Sequence, residues 1–343
     1  MKFILFCNLP YSFAILKPLE IEIIGRGFEY IWYLPDSIKD IFPYKESSYT
    51  SSIKELKNYE TDAIYVAGND VPHYLRGIKV QIFHGLAGEK RGHFRIRDYF
   101  DLYLTQGPYF TKRFQELADR YKNFEVMQTG WCKLDNLYDI QKNSLEMKKE
   151  LLKKYGAKKI ILYSPTFSPS LRSGVELFDT IKELSEDKNI LVIVKFHDKM
   201  DREIQDSYKK IDSKNLILSD NKDITPLLQI ADLMISDTSS VVYEFILLNK
   251  PVVTLNSISE NINWSNFTNP KELKKEVLTI LDGDDNFREK RKKVIELYHP
   301  YNDGKSAMRM VDAVVKYKKK FGVPKSRKLS LLRKFKIFQK YGI

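Results

Sequence analysis

The sequence predicts an α/β protein of two parallel-sheet domains in series, facing each other across a cleft and followed by C-terminal helices. Three observations carry this expectation. The chain has 343 residues, too many for one ordinary core, and its 43% hydrophobic and 13% aromatic content can fill two. Short apolar runs of strand length alternate with helical patterns through most of the chain. The alternation then restarts after a charged helical stretch, 145–155, that stops at Gly156.

The first series has strand patterns at 3–7, 30–33, 63–67, 80–84, 102–105 and 124–128, with helices over 11–26, stopped by Gly27, and over 109–121. The second has strands at 159–164, 190–195, 216–218, 233–236 and 251–255, separated by helices near 175–186, 201–211, 224–231 and 240–248. Beyond 270 the pattern is helical: 270–281, 286–298, 305–321 and a last segment, 326–341. These divide the chain into a first Rossmann-like domain (1–145), a second (156–315) and a basic amphipathic tail (316–343). Ligands of such domains sit beyond the carboxyl ends of the strands, so residues following strands are the candidates for function.

Net charge is +12, yet it is not spread as on a nucleic-acid-binding surface. Eleven of the 57 Lys and Arg fall in 316–343 with no acid, leaving 46 basic against 45 acidic residues elsewhere. A near-neutral body with a basic tail favours a localised anionic partner, and no nucleic acid is expected. Cys7 and Cys132 stand in unrelated contexts, and the five histidines lack metal-site spacing, so neither disulfide nor metal is expected. The apolar run 3–7, broken by Pro10, reads as a strand rather than a secretory signal. With no stretch of transmembrane length, the expected location is the cytoplasm. No P-loop, dinucleotide-binding glycine pattern or serine-hydrolase elbow is present, which removes the main supports for kinase, ATPase, dehydrogenase and hydrolase readings.

Four segments can carry chemistry. Ser236-Asp237-Thr238-Ser239-Ser240 links an apolar strand to an apolar helix and suits a phosphate at a helix start, or is a plain Asp/Ser cap. Glu244, one turn on, can accept from ribose hydroxyls or from the acceptor, or is simply solvated. His84 ends a strand before Gly85 and Gly88; an imidazole there can take a proton from an attacking hydroxyl, or be a buried structural histidine. Gly85 allows close backbone approach, and Lys90, Arg91, Arg95 and Arg97 can meet a phosphorylated acceptor. Lys195 and His197 follow another strand and can neutralise a transferring phosphate, or pair with Asp198. Tyr163-Ser164-Pro165-Thr166 supplies hydroxyls, or an ordinary turn.

In order, these segments resemble the CDP-glycerol glycerophosphotransferase family, the teichoic-acid primase and polymerase type, which has the two-domain GT-B fold. The likeness covers about 78–315. It runs through Phe83-His84-Gly85, Thr129-Gly130-Trp131-Cys132-Lys133-Leu134-Asp135, Leu162-Tyr163-Ser164-Pro165-Thr166-Phe167 and Lys195-Phe196-His197. It continues through Asp223–Asp232, Ser236–Ser240, Glu244-Phe245, Asn249-Lys250-Pro251 and Asp303-Gly304-Lys305-Ser306. The resemblance implies that His84 is the base activating the acceptor and that His197 contacts the donor pyrophosphate. It further implies that Thr166, Ser239 and Ser240 hold phosphates, and that Asp237 organises their loop. The implied substrate is a CDP-linked donor, without cofactor, and the acceptor a lipid-linked or oligosaccharide hydroxyl in teichoic-acid or capsule-like polymer synthesis. His197-Asp198 replaces the family's His-Pro. Ser168 stands where a basic residue is usual, with Arg172 nearby. Gly130-Trp131-Cys132-Lys133-Leu134-Asp135 replaces Gly-x-Pro-Arg-x-Asp. CDP-ribitol or a nucleotide sugar therefore stays open as donor, as does a GT-B glycosyltransferase or UDP-sugar epimerase as the alternative function.

In the tail, Leu331, Leu332, Phe335 and Phe338 fall at helical spacing, with Arg333, Lys336 and Lys340 on another side. A basic amphipathic helix over 325–341 predicts peripheral attachment to the anionic inner face of the plasma membrane; a helix packed back across the first domain, or a disordered tail, is the plainer alternative.

Overall fold

The computed structural model describes residues 1–86, 93–139, 141–221, 223–259, 262–327 and 329–342. The chain forms two compact units, one of residues 1–138 with 297–343 and one of 139–296. The first holds β1 (Lys2–Phe6), α1 (Ser12–Gly25), β2 (Glu29–Tyr33), α2 (Asp36–Lys39), β3 (Tyr49–Thr50), α3 (Ile53–Asn58), β4 (Ala63–Val66), β5 (Ile78–Gln81), β6 (Leu102–Thr105), α4 (Pro108–Tyr121) and β7 (Glu125–Gln128). Helix α5 (Asp135–Asp139) ends its first segment. The second unit holds α6 (Gln141–Tyr155), β8 (Lys159–Tyr163), α7 (Phe178–Glu186), β9 (Ile190–Val194), α8 (Arg202–Lys209), β10 (Leu216–Leu218), α9 (Thr225–Ile230), β11 (Leu233–Ser236), α10 (Val241–Leu247), β12 (Val252–Leu255), β13 (Ser265–Phe267), α11 (Pro270–Leu281) and most of α12 (Arg288–Tyr298). Helices α13 (Ser306–Phe321) and α14 (Leu331–Tyr341) return to the first unit.

Both sheets are parallel throughout, in the orders β3-β2-β1-β4-β5-β6-β7 and β10-β9-β8-β11-β12-β13. Their central strands are covered on both faces, as for Phe3, Ile4, Leu5 and Phe6, all at 0% exposure. That is why they read as unbroken apolar runs rather than alternating ones. Strand order reverses between β1 and β4 in the first sheet and between β8 and β11 in the second. At such points neighbouring connections leave in opposite directions and open a crevice beyond the strand ends.

The sequence-based division places 297–315 in the second domain; in the structure α13 packs on the first unit. Arg26 Nη1 meets Asp312 at 2.6 Å, and the Tyr65 hydroxyl donates to the Met310 carbonyl at 3.2 Å. The helix start is held by Asp135, whose two carboxylate oxygens accept from the Ser306 and Ala307 amides at 2.9 and 2.6 Å. Arg309 donates to the Thr129 carbonyl at 3.0 Å. Gly130 has φ +86°, and a Cβ there would lie 2.5 Å from Ser306 Oγ, so only glycine fits this contact. The segments 129–135 and 303–306 thus meet each other as a structural joint within the first unit.

The tail is a docked helix. Ile337, which blurs the amphipathic pattern in sequence, is its buried residue at 2% exposure. Phe338 stacks on Tyr74 with ring centroids 5.5 Å apart, and Tyr341 meets Phe6 edge-on. Just before the helix, Arg327 forms a buried ion pair with Asp101 at 2.5 Å. Leu331, Leu332 and Phe335 stay outside at 83%, 66% and 64% exposure.

Candidate functional site

In the first unit, β5 stops at Gln81, three residues short of the expected end. Phe83 then adopts the left-handed region at φ 63° while 5% exposed. A bulky residue pays for that conformation in strain, and here packing holds it. The Phe83 ring stacks on His93 at 5.2 Å and lies 5.0 Å from Phe114, and Trp131 Nε1 donates to its carbonyl at 3.4 Å. The turn throws the next side chain, His84, out to the surface, so His84 is exposed rather than a buried structural histidine.

His84 Nδ1 lies 3.1 Å from the Ala67 carbonyl oxygen. A carbonyl only accepts, so this bond puts the proton on Nδ1 and the lone pair on Nε2, the arrangement a general base needs. The ring rests against Tyr11, centroids 5.2 Å apart. Gly85 accepts from Gln106 Nε2 at 3.1 Å, and a side chain there would meet open space, so packing within the chain does not demand the glycine. Arg95 is exposed. Lys90 and Arg91 lie outside the described residues. His93, by contrast, is half-buried against Phe83 and Phe110, and desolvation pulls its pKa down to about 4.

In the second unit, the ends of β9, β8 and β11, adjacent in the sheet, bring the donor candidates together. Asp237, 1% exposed, turns away from the helix and accepts three hydrogen bonds of 2.9 Å, from the Thr166 amide and from the Ser173 amide and hydroxyl. Burial raises its pKa and these donors oppose the rise. Ser236 Oγ donates to the Ser164 carbonyl at 2.6 Å, and Thr238 Oγ1 accepts from the Ile258 amide at 3.1 Å. Three side chains of the cluster therefore brace the loops, while Ser239 is half-buried and Ser240 exposed. Ser240 occupies the N-cap position of α10, but its backbone is helical and its side chain makes no capping bond, which corrects the expectation of a Ser cap. Glu244 is 8% exposed, not solvated.

His197 is exposed and stacks against Phe167, centroids 4.4 Å apart. Its Nδ1 accepts from the Lys199 amide at 3.1 Å, which leaves Nε2 as the protonated nitrogen of the neutral ring. Its pKa is lowered, chiefly by partial burial and against the pull of Asp198, so the neutral form is favoured. Lys195 Nζ donates to the Phe196 carbonyl at 2.9 Å. Arg172, the nearby basic residue, pairs with Asp201 instead of reaching toward Thr166. Sequence reading missed Ser173, Tyr11 and Ala67; only Ser173 had a signal, as a hydroxyl residue in the loop after β8. Among the described residues no three His, Cys, Asp or Glu side chains gather to hold a metal ion.

Two doubly wound parallel sheets, each with polar side chains gathered at its carboxyl edge, place the protein in the GT-B class of α/β folds. Within that class the match is narrower. Residues 80–257 fit the model of the CDP-Glycerol:Poly(glycerophosphate) glycerophosphotransferase family, and the chain belongs to this family. It is 28% identical over 252 residues to the teichoic acid ribitol-phosphate polymerase TarL of Staphylococcus aureus, covering 65% of this chain and 43% of that protein. It is 26% identical over 274 residues to the teichoic acid poly(glycerol phosphate) polymerase of Bacillus spizizenii, covering 70% and 68%. The chain spans about half the length of most curated relatives it matches. The solved wall teichoic acid polymerase TagF superposes with a TM-score of 0.66 at 18% identity over 92% of this chain and 89% of that one. The Staphylococcus aureus MnaA–UDP structure does so with 0.67 at 17%, over 93% and 97%. At such identities these likenesses speak for the fold.

Proposed function

We propose that the protein transfers glycerol phosphate, or a related polyol phosphate, from CDP-glycerol to an acceptor hydroxyl in cell-surface polymer synthesis, releasing CMP. The observation that carries this reading is that every residue assigned a role lies inside the family-matched segment 80–257. The acceptor oxygen attacks the β-phosphorus as the bond from that phosphorus to the bridging oxygen breaks. His84 Nε2 takes the hydroxyl proton, and CMP leaves with the electron pair. His197 Nε2–H donates to the pyrophosphate, beside Lys195. Thr166, Ser239 and Ser240 hold phosphate oxygens on loops braced by Asp237 and Thr238, and Glu244 receives a ribose or acceptor hydroxyl. Gly85 and Arg95 contact the acceptor, and the same role is proposed for Lys90 and Arg91. Such displacement depends mostly on positioning and electrostatics, so few groups suffice.

Purified protein with CDP-glycerol and a lipid-linked or oligosaccharide acceptor should release CMP, and His84→Ala should lower the rate by at least 100-fold, on the scale of a lost general base. Full activity in that variant removes the assigned base. CDP-ribitol and UDP-sugars compared side by side in a thermal-shift panel identify the donor; selective stabilisation by a UDP-sugar would favour the glycosyltransferase or epimerase alternative.

The lipid-linked acceptor also gives the tail a use. No helix among the described residues is long and apolar enough to cross a membrane. Helix α14 leaves Leu331, Leu332 and Phe335 exposed among Lys334 and Lys336, a surface suited to an anionic bilayer, where each basic residue adds about 1 kcal/mol. Flotation with anionic vesicles should recover the protein, and replacing these three apolar residues with Ser should abolish recovery. Equal recovery of both would sever the tail from the membrane.

A further inference from the structure

The strand-order reversal of the first sheet lies between β1 and β4, and the C-terminal helix ends on top of it. Asp70, in the turn after β4, accepts from the Tyr341 hydroxyl at 2.5 Å and from Lys340 Nζ at 2.9 Å on both oxygens. Asn8, just after β1, donates to the same Tyr341 oxygen at 3.1 Å and to Asp70 at 3.4 Å. The Tyr74 hydroxyl donates to the Gly342 carbonyl at 2.5 Å. Space here is tight: a Cβ on Gly68 would lie 3.0 Å from Asn8 Oδ1. The turn that α14 grips, 67–70, begins with Ala67, whose carbonyl sets the tautomer of His84. Tyr11, against the His84 ring, feels the Asp70 charge: burial first, and then Cys7 and Asp70, raise its pKa. Burial and Asp70 likewise lift the Tyr341 phenol far above its usual value, which keeps it a neutral donor.

We infer that Tyr341 and Asp70 are positioning residues for His84, the C-terminal helix serving as a latch that fixes turn 67–70 and with it the Ala67 carbonyl. Neither residue touches the reacting atoms. With the latch open, Ala67 drifts, the hydrogen bond to Nδ1 weakens, and the fraction of His84 presenting a basic Nε2 toward the acceptor falls. This inference rests on the assignment of His84 as the base.

The test uses the full chain carrying Tyr341→Phe, which keeps the ring against Phe6 while removing the hydroxyl, and Asp70→Asn. Hydrogen exchange should rise in peptides covering 67–70 and 82–86 in both variants, whatever the enzyme's substrate. Unchanged exchange would overturn the latch. In the CMP-release assay, kcat should fall on the order of tenfold, the scale of one net hydrogen bond, with KM for the donor unchanged and the acid limb of the pH–rate profile displaced. Wild-type kcat and pH profile in Tyr341→Phe would overturn the positioning role. So would an equal loss when Tyr341→Phe is added to His84→Ala, since the effect must pass through His84. If the wild-type chain releases no CMP from any CDP-polyol, the functional reading fails, and the exchange experiment still decides the latch.

Discussion

Asp237 ties together the loops at the carboxyl edge of the second sheet, and Asp237→Ala measures how strongly. The carboxylate is 1% exposed and satisfies two backbone amides and one hydroxyl. With Ala in its place the Thr166 and Ser173 amides lose their partner in a place water reaches poorly, at about 1–3 kcal/mol each. Removing a buried carboxylate returns part of that cost, since burial disfavours its charge. A net loss of about 3 kcal/mol follows, which in a unit of this size lowers the melting temperature by roughly 6–12 °C. Asp237→Asn keeps one acceptor oxygen and sets an NH2 against the other donors, so it should fall between Ala and wild type. Ser173→Ala loses the hydroxyl bond alone and should cost about 1 kcal/mol. Urea and thermal unfolding give the order. Isothermal titration with CDP-glycerol should then show affinity falling in the same order, because Thr166 is placed by this carboxylate. A wild-type unfolding midpoint in Asp237→Ala would refute the reasoning outright, and an Asn variant worse than Ala would refute the assignment of the three donors.

Two further perturbations test the first unit. His299 is 1% exposed, accepts from the Trp131 amide at 2.9 Å, and is held to a pKa of about 4, mainly by burial. Its folded pKa lies below the unfolded value near 6.5, so it contributes stability above that pH, of order 3 kcal/mol, which drains away as pH falls toward 4. The wild-type urea midpoint should drop over this window, and His299→Gln should flatten the drop; an equal slope in both refutes the assignment. Asp135→Ala strips two amides at the start of α13 of their acceptor and should destabilise by about 2–4 kcal/mol, with Asp135→Asn recovering part, as read from urea unfolding.

The alternation of strands and helices was legible because both sheets are buried on both faces and leave unbroken apolar runs. The positions of His84 and His197 after strands were legible for the same reason. What the sequence hid was set by partners far along the chain. β5 ends earlier than its apolar run suggests because Phe83 is apolar and looks like strand; its left-handed turn is held by packing against His93 and Phe114 and by the hydrogen bond from Trp131. Asp237 in a Ser-rich cluster looks like a cap, and only the fold brings the 164–173 loop close enough to claim its oxygens. Ile337 spoiled an amphipathic pattern that assumed one apolar face. The helix instead buries Ile337 against the domain and leaves Leu331, Leu332 and Phe335 outside. Asp70 and Tyr341, 271 positions apart, carry no local signal at all.

The first unit is discontinuous: residues 139–296 intervene before α13 and α14 rejoin the sheet they cover. During synthesis, the N-terminal strands therefore leave the ribosome long before the helix that Asp135 anchors and the tyrosine that Asp70 grips. The second unit, made from one uninterrupted stretch, can fold first, while the first waits with part of its apolar surface bare. Completion of the first sheet's cover thus waits on residues 297–343, which follow the whole second unit in the chain. A chain ending before residue 297 would hold a complete second unit and a first unit whose sheet lacks the two helices, α13 and α14, that return to it.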